Sequence, residues 1–143
     1  MTANITNFKE LFSRCSQLKK ISQLDTSKGT DFNGMFYACN KLESIPQLDT
    51  SQGTDFKQMF YYCHALVTIP QLDTSQGTVF NGMFYNCKIL ESIPQLDTSQ
   101  GTNFGEMFYY CSKLKSIPPQ LDTSQGTEFG AMFSWCSALT KIP

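Results

Sequence analysis

Apolar positions recur along the whole chain with a period of 24 residues, which one extra proline lengthens between the last two cysteines. The cysteines mark the repeats, at Cys15, Cys39, Cys63, Cys87, Cys111 and Cys136. The twelve phenylalanines fall into two columns of this alignment, Phe8, Phe32, Phe56, Phe80, Phe104 and Phe129, and Phe12, Phe36, Phe60, Phe84, Phe108 and Phe133. Such a period is typical of a solenoid, in which one repeat is the structural unit.

The segment that begins at each first-column phenylalanine has helical periodicity. At about 100° per residue, Met35, Phe36 and Cys39 lie within roughly 60° of Phe32, so the segment has one apolar face. Thr30, just before it, suits a helix N-cap. The pattern predicts a short helical turn in each repeat, which needs neighbouring repeats for its stability.

The segment after each cysteine predicts a short extended strand. Leu42, Ile45 and Leu48 recur three residues apart around Pro46, in a stretch too short for another helix. Proline removes one amide from any ladder, so we expect a brief strand with an irregular exit. The recurring decapeptide IPQLDTSQGT then forms the corner that leads to the next helical turn, with its leucine in the core.

These elements predict an α/β repeat fold. Residues 1–143 form a single domain, a leucine-rich-repeat solenoid of about six 24-residue coils, and each coil holds a short extended strand plus a short helical turn. The first and last repeats lack polar caps. The sequence is therefore interpreted as a piece of a longer array, as a chain covered by another, or as a unit that stacks head to tail.

The motif C-x-x-L-x-x-I-P, followed by L-D-T-S and F-x-x-M-F-x-x-C, resembles the BspA-like class of leucine-rich repeats over essentially the whole chain. The sequence departs from the pattern in the first repeat, with Leu11 for methionine and Ser22 for proline, and its 24-residue repeat is slightly compact. The class occurs in bacterial and protozoan surface proteins and in some phage-borne proteins. The resemblance implies a curved, right-handed solenoid with strands on its concave side, used in adhesion and recognition outside the cell, at the cell surface or on a phage particle.

Charge and composition exclude several classes of function. Eleven basic and twelve acidic residues give a net charge of −1, without the cationic excess that nucleic acid binding requires. No apolar run approaches the roughly 20 residues of a membrane span, and the first segment has no apolar stretch suited to a signal peptide. We therefore expect neither a nucleic acid nor a membrane as partner.

Two columns of the repeat alignment, one of cysteines and one of aspartates, contain side chains that can bind metal ions. The cysteines occur once per repeat and never as C-x-x-C pairs, so we expect reduced, buried thiols, with disulfides between adjacent coils and zinc as alternatives. A second column holds Asp25, Asp49, Asp73, Asp97 and Asp122. These carboxylates are expected about 5 Å apart and satisfied by turn hydrogen bonds, with a calcium ladder as the alternative. No cofactor is expected.

The repeat sequence contains little that resembles a catalytic site. The single histidine, His64, has no recurrent acid or nucleophile around it, and the serine of each DTS motif recurs without a base. The sequence therefore predicts a protein that is not an enzyme.

Aromatic residues outside the apolar face are the candidate binding residues. On the helical wheel one column lies about 140° from Phe32 and a second at about 240°. The two columns comprise Tyr37, Tyr61, Tyr85 and Tyr109, and Tyr62, Tyr110 and Trp135. An exposed aromatic stripe suits a protein or carbohydrate partner, and the alternative is that the rings stack together and shield the core.

The sequence thus predicts a non-enzymatic recognition or adhesion module, or alternatively a structural spacer or self-assembling filament unit.

Overall fold

The computed structural model describes residues 3–142, which wind into coils stacked along one axis. Regular secondary structure is nearly absent from this part of the chain. It is confined to isolated parallel bridges that connect one residue of each coil to its equivalent in the next, through Asn7, Asp31, Asp55, Val79, Asn103 and Glu128. The described residues contain no helix, and therefore no helix that could cross a membrane.

The helical turn predicted for each coil is wrong, because the amides of this segment alternate between two kinds of partner. The amides of Phe8 and Glu10 donate to the next coil, to the carbonyls of Asp31 at 2.8 Å and Asn33 at 2.9 Å. The next amide, that of Leu11, donates to the Phe8 carbonyl, three residues back, at 3.2 Å, and the amide of Phe12 again donates to the next coil, to the Met35 carbonyl at 2.9 Å. The segment is thus a row of consecutive turns that are hydrogen-bonded from coil to coil.

Two residues in each coil have a left-handed backbone conformation, and they produce this alternation. They lie two and six residues after the first phenylalanine of each coil, and their φ angles are between 54° and 65°. The first position holds Glu10, Gly34, Gln58, Gly82, Glu106 and Ala131, and the second holds Arg14, Ala38, Tyr62, Asn86, Tyr110 and Trp135. A right-handed helix cannot continue through such a residue. The apolar side chains still face the core, so the sequence pattern identified the buried face but not the backbone.

The predicted strand at L-x-S-I-P is also wrong. Glu43 donates its amide to the Lys19 carbonyl at 2.9 Å, but this bond is too isolated to make a strand. The parallel bridges lie elsewhere, just before the first phenylalanine column. Glutamine side chains replace the missing ladder, since Gln47 Nε2 donates to the Gln71 carbonyl at 2.5 Å and to its neighbour Leu48 at 3.3 Å. The same bond joins Gln23 to Gln47 and Gln71 to Gln95.

Stacked apolar columns form the core. Neighbouring rings in both phenylalanine columns lie 5.6 to 5.7 Å apart, with their planes within 3° to 13° of parallel. The methionine, cysteine and leucine columns of the inner coils are buried beside them. Each coil therefore buries its apolar residues only against the coils next to it, as a solenoid requires.

The extra proline is absorbed at one corner. Pro118 accepts the amide of Leu121 at 3.2 Å, which closes an additional turn. The glutamine ladder stops there, where Gln95 Nε2 donates only to Leu96, but the threonine bond beside it continues from Thr98 Oγ1 to the next coil. The insertion thus disturbs one column and leaves the stacking intact.

Candidate functional site

A groove of about 1260 Å³ follows the Q-L-D-T-S corners of five coils, from Gln23 to Asp122. We call it the corner groove. The leucines and threonines beneath it are nearly inaccessible in the inner coils. Its accessible lining therefore consists of the glutamine, aspartate and serine side chains, which recur once in each coil.

Hydrogen bonds within the corner use most of its side-chain donors. Asp73 Oδ1 accepts both the amide of Ser75 at 3.0 Å and its hydroxyl at 2.6 Å, which makes an Asx turn. Thr74 Oγ1 donates to the Asp97 carbonyl at 2.7 Å. Together with the two glutamine bonds, these contacts leave carboxylate and amide oxygens as the groups that the groove offers. The turn role expected for the aspartates is confirmed.

The aspartate column is negatively charged at neutral pH. Hydrogen bonds from the following serine, first from its hydroxyl and then from its amide, lower the pKa of Asp25, Asp49, Asp97 and Asp122. Carboxylates about 5 Å apart repel by about 0.8 kcal/mol even in water.

Within residues 3–142, no group of three or more His, Cys, Asp or Glu is arranged to hold a metal ion.

The first tyrosine column forms a continuous stack outside the core. Ring centroids are 4.8 Å apart for Tyr37 and Tyr61, 4.2 Å for Tyr61 and Tyr85, and 4.6 Å for Tyr85 and Tyr109. The Arg14 guanidinium lies 5.6 Å from the Tyr37 ring centroid and extends the stack by a cation–π contact. These tyrosines are half-buried. Stacking and partial exposure, which the sequence left as alternatives, therefore occur together.

The second aromatic column divides into two parts. Tyr62 packs edge-on against Tyr61 at 4.7 Å and Tyr85 at 5.6 Å. Tyr110 and Trp135 lie 5.9 Å apart and are 40% and 66% exposed. We call the whole surface the aromatic face, which comprises Tyr37, Tyr61, Tyr62, Tyr85, Tyr109, Tyr110 and Trp135.

Burial keeps the hydroxyl groups of two residues of the aromatic face, Tyr61 and Tyr85, protonated. Burial, with Tyr85 and Tyr62 adding to it, raises the pKa of Tyr61 well above its usual range, and burial also raises the pKa of Tyr85. Such hydroxyls can donate hydrogen bonds to a partner.

His64 belongs to the edge of this face. Its ring lies 5.5 Å from Tyr62, and desolvation, followed by the charge of Lys88, lowers its pKa. Its Nε2 is buried and has no hydrogen-bond partner among the described residues. The lowered pKa favours a neutral imidazole at pH 7, and the ring packs against a tyrosine.

The cysteines are free, and five of the six are buried, whereas Cys15 is exposed. Each buried thiol donates to a phenylalanine carbonyl in the preceding coil, as Cys63 does to Phe36 at 3.2 Å and Cys87 to Phe60 at 3.2 Å. Burial raises the pKa of Cys39 to about 11 and that of Cys63 and Cys87 well above the usual range. These thiols are small core residues that also act as hydrogen-bond donors.

A thiol reagent at pH 8 is expected to modify one cysteine of the native protein, Cys15, and all six after denaturation. The reason is that only a thiolate reacts, and burial suppresses both its formation and its access. Mass spectrometry of the labelled chain counts the modified thiols. Rapid native labelling of Cys87, at the centre of the column, would contradict this assignment.

The glutamine ladder and the corner groove were not identified from the sequence. One signal could have revealed them, because the same residue recurs at Gln23, Gln47, Gln71, Gln95 and Gln120. A residue that recurs at five successive solvent-facing corners indicates a specific contact.

The comparisons with known proteins agree on a repeat fold. A family model described as "Mycoplasma protein of unknown function, DUF285" matches residues 1–89 and, a second time, residues 45–142. Among solved structures, a leucine-rich repeat protein from Eubacterium ventriosum ATCC 27560 superposes with a TM-score of 0.64 at 20% identity, over 88% of this chain and 32% of that chain. This chain therefore spans about a third of that protein, and the likeness concerns the fold alone. No curated protein matches the sequence.

Proposed function

The chain belongs to the DUF285 family, and we propose that it is a non-enzymatic recognition module that binds a protein or glycan through the aromatic face. Its fold is that of a repeat protein similar to a leucine-rich repeat protein, which bears out the resemblance to the BspA-like class. A repeat scaffold of this kind offers an extended surface for binding.

One observation carries the proposal: a row of stacked aromatic rings lies outside the core and is partly exposed. The inner phenylalanines are fully buried, whereas Tyr110 and Trp135 are 40% and 66% exposed. Tyrosine and tryptophan give large, rigid contact areas with a polar tip, and they are enriched among the residues that dominate binding energy. The stack holds its rings in place before a partner arrives, which lowers the entropy cost of binding.

We extend the proposal to an extracellular, cell-surface or phage-particle location, on the resemblance to the BspA-like class. The buried thiol column is compatible with such a location. Buried thiols with raised pKa values exchange poorly with disulfides, so an oxidising compartment leaves them intact.

Head-to-tail stacking of copies receives less support from the geometry. A Cβ at Gly29 would lie 2.9 Å from the ring of Phe8 in the preceding coil, and one at Gly53 would lie 3.0 Å from Phe32. The first repeat has Ile5 at this position. A second copy stacked in the repeat register would therefore place a branched side chain against the phenylalanine column, where the other coils have glycine.

Replacing Tyr61, Tyr85 and Tyr109 together by serine is expected to weaken binding by at least tenfold, because interface tyrosines each contribute about 2 kcal/mol when they act as hot spots. A partner is first identified by screening the wild-type chain against arrays of glycans and cell-surface proteins. Its dissociation constant is then measured by biolayer interferometry for both chains.

The matched control changes three exposed residues elsewhere on the coils, Ser44, Thr68 and Ser92, to alanine. This control is expected to bind like the wild type. If the triple tyrosine variant is folded by circular dichroism and retains its affinity, the aromatic face is not the binding surface.

A further inference from the structure

The corner groove is a second surface, distinct from the aromatic face. It has the shape of an open channel across five coils, and its lining includes no residue of the aromatic face. Its volume of about 1260 Å³ exceeds the range of roughly 300 to 1,000 Å³ that is usual for small-molecule pockets. The shape suits an elongated ligand better than a compact one.

The groove requires a ligand that is rich in hydrogen-bond donors. In its central coils, Gln47 Nε2 donates to two carbonyls, and the serine hydroxyls of Ser51 and Ser75 donate to aspartates. What remains for a ligand in these central coils is the glutamine side-chain oxygen and the second carboxylate oxygen of Asp49 and Asp73, and both groups are acceptors.

The charge of the groove has one sign. Five aspartates line it, and no lysine or arginine does. Each coil contributes a single carboxylate, so an ammonium or guanidinium group can pair with one coil at a time. A metal ion, which requires several ligands converging on one point, does not suit this linear arrangement.

We propose that the corner groove binds an extended peptide segment that carries lysine or arginine side chains. The five coils span about 19 Å at roughly 4.8 Å per coil, which about six residues of extended chain cover at about 3.3 Å per residue. Lysine and arginine side chains pair with the aspartates, and the peptide amides donate to the glutamine oxygens. This assignment does not depend on the aromatic face.

The test measures fluorescence anisotropy of a labelled peptide, Lys-Ala-Lys-Ala-Lys-Ala-Lys, titrated with the full chain at about 50 mM salt. Changing Asp49, Asp73 and Asp97 together to asparagine is expected to weaken binding about tenfold, since exposed ion pairs contribute modestly and add together. Asparagine preserves the turn, as Asn103 already shows by accepting the amide of Gly105 at 3.0 Å. The triple variant is therefore expected to fold, which circular dichroism checks.

The matched control removes three negative charges outside the groove, by changing Asp31 and Asp55 to asparagine and Glu91 to glutamine. We expect its affinity to stay within twofold of the wild type. Equal weakening of both variants, or no weakening of the groove variant, would overturn the assignment. Displacement of the peptide by an equal concentration of free spermidine would identify a small polyamine instead and would also overturn it.

One further arm separates the two surfaces. The variant with serine at Tyr61, Tyr85 and Tyr109 is expected to bind the lysine peptide as the wild type does. Loss of peptide binding in that variant would place the peptide on the aromatic face and refute the groove. Failure of the groove experiment alone leaves the proposal for the aromatic face unaffected.

Discussion

Replacing Phe80 by alanine is expected to lower the free energy of unfolding by about 4 kcal/mol, because a fully buried phenylalanine costs roughly 3 to 5 kcal/mol when truncated. Phe80 is 0% exposed, and its ring lies between those of Phe56 and Phe104 at 5.7 Å on each side. The substitution removes both stacking contacts and leaves a cavity in the middle of the column. Urea denaturation followed by near-ultraviolet circular dichroism measures the effect.

The same column contains a control. Phe129 is 44% exposed and, among residues 3–142, stacks on Phe104 alone. Its replacement by alanine is expected to cost about 1 kcal/mol, since half of the ring is already in water. Equal losses for the two substitutions would show that the column does not act as a continuous stack.

Replacing Gly77 by alanine is expected to destabilise the protein by about 3 kcal/mol, at the upper end of the cost of overpacking. The added Cβ would lie 2.6 Å from Phe80 Cζ and 3.0 Å from both Phe56 Cδ2 and the Thr74 carbonyl oxygen. Two stacked rings and a backbone oxygen surround the position, so no single side chain can move aside. Thermal and urea denaturation both measure the loss.

Gly105 is the matched control for this substitution. A Cβ there would meet Asn103 Oδ1 at 3.4 Å and the Gly130 carbonyl at 3.7 Å, which are ordinary contacts. Alanine at this position is expected to leave stability unchanged or to raise it by up to about 1 kcal/mol, through a lower entropy of the unfolded chain. A loss at Gly105 as large as at Gly77 would refute the steric explanation.

The period and the buried face were predictable because they depend on side chains alone. Twelve phenylalanines in two columns require neighbouring coils to cover them, and the observed stacks at 5.6 to 5.7 Å follow directly. Burial of the cysteine column followed from the same argument. Its hydrogen bonds to phenylalanine carbonyls did not, because they depend on how each coil is placed above the last.

The helical turn was predicted wrongly because the same apolar spacing fits two backbones. Residues such as Gln58 and Tyr62 do not favour a left-handed conformation, and nothing in their identity indicates it. The conformation is imposed by the gain of hydrogen bonds to the next coil, as from Phe56 to Val79 at 3.0 Å. The hydrogen bonds between stacked coils outweigh the backbone preference of the individual residues. The propensity of a single residue therefore does not predict this conformation.

The strand was predicted wrongly for a related reason, whereas the aromatic columns were partly predictable from the sequence. Pro46 signalled an interrupted ladder correctly, but the replacement of backbone bonds by Gln47 is a side-chain solution that no strand pattern describes. The tyrosine columns were identified from their wheel positions. Whether they stack depends on distances between coils, such as the 4.2 Å between Tyr61 and Tyr85, which only the three-dimensional arrangement provides.

The direction of the bonds between coils gives the solenoid an electrical polarity. Across one interface, four amides point forward to the next coil, from Phe32, Gly34, Phe36 and Ala38, and two point back, from Thr54 and Val67. The surplus repeats at successive interfaces, so peptide dipoles add along the axis as they do in a helix. The face near Trp135 is therefore the positive end of this backbone dipole, and the face near Asn7 is the negative end.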